Sequence, residues 1–183
     1  MGPVEAVFIT IGILVTLIGL ARGYDKELGN TVIILVAIFI LTFFDSSITR
    51  LLDVVITRLP GLSGGSPEGK ALLISGAYTL FFAAIVFASY AGRTLNMGAR
   101  PAKPPVGTIY TVLIALLNGY LVSGTIWYYQ HTFNYPLQRL GWVVLPLTKT
   151  AETMTTLLPQ TLFPSPIYWM VPVAILLLIR VKG

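Results

Sequence analysis

The chain has 183 residues, 55% hydrophobic and only 10% charged, with a formal charge of +5 from 12 Lys+Arg against 7 Asp+Glu. Its mean hydropathy is +0.82, and a soluble domain carries about 25% charged residues, so there is too little polar surface to cover a water-soluble globule. The chain has no cysteine, which excludes disulfides, thiolate metal sites and cysteine nucleophiles, and its scattered Lys and Arg form no cluster dense enough for nucleic acid.

Residues 4–21, 28–44, 71–91 and 107–129 are apolar stretches that approach or reach the roughly 20 residues needed to cross a bilayer as a helix. The expected fold is an all-α membrane protein, a bundle of four transmembrane helices, with room for a fifth short C-terminal membrane segment. The N-terminus, Met1-Gly2-Pro3-Val4-Glu5, has no basic region, and no small-x-small cleavage site follows the first stretch. That stretch is therefore expected to stay as an anchor.

The first segment places Gly12, Thr16, Gly19 and Gly23 close to one helical stripe. Gly19 and Gly23 form a GxxxG pair that lets another backbone approach. Internal packing is the simpler use of it, and self-dimerisation the alternative. Arg22, Asp25, Lys26 and Glu27 then form a tight charged turn. Gly23 can supply a left-handed cap there, and acids at the start of the second segment suit the helix dipole.

The second segment has an uncharged core over residues 28–44. Residues 45–59 continue it with Ile48, Leu51, Leu52, Val55, Ile56 and Leu59 at helical spacing, and with Arg50, Asp53 and Arg58 mostly on the other side. This pattern predicts an amphipathic extension at the headgroup level, ended by Pro60-Gly61. A polar loop over residues 61–69 leads to the third segment, which carries Ala84, Ala88 and Gly92 at four-residue spacing. That is a second small-residue stripe.

A basic, proline-bearing connection over residues 93–105 precedes the fourth segment. The fourth segment has its own stripe of Ala115, Gly119 and Ser123 and ends in the aromatic belt Trp127-Tyr128-Tyr129. Residues 131–166 are broken by five prolines and should form short interfacial helices. Residues 167–179 are apolar but short for a span and contain Pro172. The chain thus divides into a four-span membrane region, 1–130, and a tail, 131–183. The positive residues of the loops lean weakly to an external N-terminus.

Gly19, Arg22, Gly23, Tyr24, Lys26, Glu27 and Leu28 resemble the G-x-x-R-G-[aromatic]-x-[basic]-E-L pattern that closes the first span of the colicin V production protein (CvpA-like) family. The helix running from Gly107 through Ala115, Gly119, Ser123 and Gly124 resembles that family's later small-residue helix. The basic stretch before it also fits. The resemblance covers residues 4–129. The chain departs from the pattern at Asn118, where the family often has a basic residue, and at Pro104-Pro105-Val106-Gly107, where it has a leucine- and asparagine-bearing turn. The likeness implies a multi-pass protein of the bacterial inner membrane, linked to toxin production or export and to envelope homeostasis.

Arg22 and Glu27 are the first candidates for a polar site. They form either a hydrated turn or a buried network that fixes two helices, since charges within hydrocarbon need partners. Arg22 is expected to pair with an acid of the turn, with Asp45 or with Asp53. Asp45 sits where a span meets the interface, solvated there or serving as a proton or cation site. Asn118, in mid-span, can hydrogen-bond across helices. His131, the one histidine, is an interfacial residue or a single axial ligand. No second ligand lies at helical spacing from it, so no metal or cofactor is expected. No nucleophile elbow, phosphate loop, HExxH pair or paired carboxylates are present, so no catalytic residue is named and enzyme activity is not expected.

Three functions remain open: a scaffold for export or envelope maintenance, a small transporter or oligomeric channel, and an accessory subunit of a larger membrane complex. The expected partners are membrane lipids and other membrane proteins or a second copy of the chain.

Overall fold

The computed structural model describes residues 3–59, 66–92, 95, 97 and 104–182. Most of the expected polar loop after Pro60, and the cations Arg93, Arg100 and Lys103, lie outside the described residues. The protein is all-α. In chain order it has α1 (Val4–Arg22), α2 (Tyr24–Phe43), α3 (Asp45–Arg58), α4 (Pro67–Ala91), α5 (Val106–Thr132), a 3-10 turn (Pro136–Leu140), α6 (Lys149–Thr155), α7 (Pro159–Leu162) and α8 (Ile167–Lys182). Four of these, α1, α2, α4 and α5, are long and apolar enough to cross a membrane.

The helix ends follow from local chemistry. Ser66 caps α4 by accepting from the Gly69 N–H at 3.1 Å, with Pro67 in the first turn, where its missing N–H costs nothing. Gly23 separates α1 from α2 at φ 84, ψ 165, a region almost closed to residues with a Cβ. The conformation has positive φ yet is extended, so the expected left-handed cap is replaced by an abrupt corner. Phe44 (φ −96, ψ 10) bends the chain between α2 and α3, so the amphipathic stretch is a helix of its own.

α2 is the central helix: 61% of its membrane-length window is buried, against 17% for α1. Its Ile34, Ile38 and Leu41 join Tyr78 and Phe82 of α4, Leu121 and Tyr129 of α5, and Trp169 and Val173 of α8 in the main core. α1 and α5 pack antiparallel. Phe8 stacks on Trp127 at 5.0 Å between ring centroids, while Gly19 lies against Ala115 at the other end.

The tail packs onto this body. Its short helices cover the α1–α5 pair through a second cluster of Val4, Phe8, Trp127, Tyr135, Val143, Ala151 and Leu158. Thr148 caps α6 through the Ala151 N–H and donates to Glu5 at 2.7 Å, tying the tail to the start of α1. Pro159 sits over Gly124, where a Cβ would come within 2.5 Å of its ring. The apolar C-terminal stretch becomes α8, 16 residues long with Pro172 inside it. It starts directly after Pro166, whose carbonyl accepts from the Trp169 N–H at 3.0 Å.

Candidate functional site

Glu27 is the centre of the most elaborate polar contact among the described residues. It lies one turn into α2 and is fully buried. Its Oε1 is 3.3 Å from Arg22 Nε of α1 and accepts from Asn30 Nδ2 at 3.2 Å. Its Oε2 accepts from Tyr90 Oη of α4 at 2.9 Å and from Asn118 Nδ2 of α5 at 2.9 Å. Every partner is a donor, which is what an ionised carboxyl requires. Removing a carboxylate from water costs several kcal/mol unless its lone pairs are met in this way. Four helices thus meet on one side chain.

The surrounding residues hold those donors in place. Asn118 Nδ2 also donates to the Glu27 carbonyl at 3.0 Å, and the Thr31 hydroxyl lies 2.8 Å from Asn118 Oδ1. Arg22 donates to the Tyr90 backbone carbonyl, and its guanidinium carbon lies 4.8 Å from the centre of the Tyr90 ring. Arg22 therefore pairs with Glu27, and the network is buried rather than a hydrated turn. Asp25 is half-buried and Lys26 exposed.

Room for the carboxyl is made by small residues. A Cβ on Gly19 would lie 2.9 Å from both Glu27 Oε2 and Ala115 Cβ. Farther along, a Cβ on Gly119 would collide with the Thr16 hydroxyl and lie 2.6 Å from the Gly12 carbonyl oxygen, and one on Gly12 would meet Ser123 Oγ at 3.0 Å. Thr16 and Ser123 each return their hydroxyl to the carbonyl four residues back, both at 2.8 Å. Gly12, Gly19, Ala115, Gly119 and Ser123 therefore form one close seam between α1 and α5.

Three residues expected in packing stripes do not pack within the chain. Gly23 has nothing within 4 Å of its Cβ direction; within the chain it is a corner residue and not a packing one. Ala84 and Ala88 are exposed on α4. The helix turns its other side inward, burying Tyr78, Phe82, Val86 and Ser89, because the larger side chains fill the core while the small stripe faces outward.

Asp45 is exposed at the first position of α3. Its carboxylate and its carbonyl accept from Tyr78 Oη of α4 at 2.8 and 3.0 Å, and Thr49 Oγ1 is 3.0 Å from the same phenol. Lys70 pairs with Asp53 at 3.0 Å. α3 thus runs antiparallel beside the first turns of α4, pinned by polar contacts, and only Ile56 of its apolar face is fully buried.

His131 is exposed, with Nδ1 3.1 Å from Tyr135 Oη. Burial pushes the Tyr135 phenol above its ordinary range, and the Trp127 indole N–H, donating at 2.9 Å, opposes that. No cluster of three His, Cys, Asp or Glu able to hold a metal occurs among the described residues.

Sequence reasoning missed Tyr90, Tyr78, Asn30 and Thr31. Asn30 and Thr31 follow Glu27 by three and four residues, so helical spacing alone places them on its face. Tyr90 and Tyr78 have no local signal, since only the packing of α4 brings them to a carboxylate. Gln130, buried in α5 and bonded to Ser75 Oγ at 2.7 Å, was missed for the same reason. No protein-family model, curated protein or solved structure matches this chain.

Proposed function

We propose that this protein is a multi-pass scaffold of the bacterial cytoplasmic membrane, of the CvpA-like kind, with an accessory role in export or envelope homeostasis. One observation carries the reading: the buried Glu27 carboxylate is taken up by donors from α1, α2, α4 and α5. Such an arrangement fixes helices against one another. A transport site needs polar groups open to a solute at mid-bilayer. Among the described residues, four cavities, of 480, 300, 270 and 250 Å³, are lined by residues other than Glu27 and its donors.

The resembling motif also acquires physical sense. Gly19 gives space to the carboxyl, Arg22 pairs with it, Gly23 makes the corner, and Leu28 is buried beside it. Tyr24 packs near Tyr110 at 6.0 Å between ring centroids. A pattern whose members build one helix corner suits a structural role.

The test is reconstitution into liposomes with proton- and potassium-sensitive dyes, together with in-cell cross-linking and purification. No flux above empty vesicles is expected, with recovery of other envelope proteins. A flux that Glu27→Gln abolishes would replace the scaffold with a transporter.

A further inference from the structure

We infer that the pocket between the start of α4 and the turn after α5 binds a phosphoethanolamine group, carried by a membrane lipid. The pocket has a volume of 300 Å³, at the small end of the about 300–1,000 Å³ of ligand sites, which suits a headgroup and not a large solute. Pro67 and Glu68, in the first turn of α4, form one wall, and Phe133, Asn134, Gln138 and Arg139 form the other. Both α4 and α5 are long enough to cross a membrane, and one begins where the other ends, so the pocket lies at headgroup depth. The second wall is held in an uncommon shape. Asn134 and Tyr135 are consecutive left-handed residues, at φ 57 and φ 54, a conformation rare for residues with a bulky side chain. The Tyr135 N–H donates to the Gln130 carbonyl and its phenol meets Trp127 and His131, which fixes the turn that carries Asn134, Gln138 and Arg139 beside α4.

Charge selects the ligand. Glu68 and Arg139 line the same pocket, yet no ion pair joins them or ties either to another described residue. Arg139 Nη1 reaches Ser66 Oγ at 3.5 Å, and the side chains of Glu68, Asn134 and Gln138 have no hydrogen-bond partner among the described residues. A simple anion would meet the Glu68 carboxylate, and a simple cation the Arg139 guanidinium. A group with both signs a few bonds apart satisfies the two at once. Its ammonium donates to Glu68 and its phosphate accepts from Arg139, and the amides of Asn134 and Gln138 can serve either. Directly after Arg139, Leu140 is 55% and Trp142 62% exposed. Such apolar and aromatic surface suits the boundary between headgroups and acyl chains, which makes a lipid the source of the group.

The experiment uses the full chain in detergent micelles, with phosphatidylethanolamine, phosphatidylcholine and phosphatidylglycerol of identical acyl chains as probes. Native mass spectrometry is expected to find phosphatidylethanolamine retained severalfold over the other two, since the methylated ammonium of phosphatidylcholine cannot donate to Glu68 and phosphatidylglycerol has no cation. Glu68→Gln should erase the preference over phosphatidylcholine, whereas Arg139→Gln should lower retention of all three lipids. Both side chains are exposed, so each variant should melt like the parent. Hydrogen exchange in nanodiscs should be slower over residues 133–139 with phosphatidylethanolamine than with phosphatidylcholine. Soluble O-phosphoethanolamine should displace the lipid at millimolar concentration. Equal retention of the three lipids by the unmodified protein, or a preference that survives both substitutions, overturns the assignment. Binding of soluble O-phosphoethanolamine with no preference among the lipids overturns the lipid as its source and makes the ligand a free zwitterion.

Discussion

Two carboxylates bracket α2, and each accepts a hydrogen bond from a tyrosine of α4, Glu27 from Tyr90 at 2.9 Å and Asp45 from Tyr78 at 2.8 Å. Their surroundings differ. Glu27 is enclosed because Gly19 and Ala115 let α1 and α5 close over it; Asp45 stays exposed because the chain bends beside it and leaves a wedge. The same chemical group locks helices together where small residues permit close approach and merely staples a helix start where they do not. Burial therefore depends on the neighbours' size more than on the acid's place at a helix end.

The comparison is broken most directly by deleting each acid. Glu27→Ala leaves its buried donors without their acceptor and is expected to cost about 3–5 kcal/mol, read as a lower melting temperature in detergent or as loss of monodisperse protein. Asp45→Ala is expected to cost no more than about 1 kcal/mol; equal melting of the two variants would erase the distinction. Gly119→Val drives a side chain into Thr16 and the Gly12 backbone, an overpacking of about 1–3 kcal/mol. Gly23→Ala should cost a similar amount, about 1–3 kcal/mol, through its backbone conformation alone. Its extra methyl meets nothing within 4 Å, so Gly23→Ser should behave like Gly23→Ala, whereas larger residues at Gly119 should be progressively worse. The two tyrosines sharpen the contrast. Tyr90→Phe is expected near the upper end of hydrogen bonds measured between membrane helices, about 1.7 kcal/mol, and Tyr78→Phe near their mean of about 0.6 kcal/mol, both read in the same melting assay. Smallest of all, Ala84→Leu and Ala88→Leu on the outward face of α4 should lie within about 0.5 kcal/mol of the parent.

The spans were legible in the sequence because bilayer thickness fixes helix length, and α3 because its apolar residues recur at helical spacing. The orientation of each span about its own axis was much less legible. Lipid and protein core are both apolar, so a membrane helix carries little contrast between its faces; hence Ala84 and Ala88 read as a seam while facing outward. The small-residue faces of α1 and α5 were readable from Gly12, Thr16 and Gly19 on one and Ala115, Gly119 and Ser123 on the other, but not that the two faces meet. Arg22, Glu27 and Asn118 stood out as rare polar residues in apolar stretches. A buried Arg22–Glu27 pairing was one of two readings the sequence allowed; the joining of Asn118 and Tyr90 to it was not readable, since it depends on 91 and 63 residues of intervening chain.

The Glu27 network also has an order in time. Tyr90 and Asn118 are made 63 and 91 residues after Glu27. At synthesis rates of about 5–20 residues per second, Asn118 emerges about 5–18 s later. During that interval Arg22, five residues upstream across the Gly23 corner, and Asn30, on the same helix face, are already made. The partners that α1 and α2 give the carboxylate are thus made close to it in time, and the donors of α4 and α5 that complete its enclosure come last.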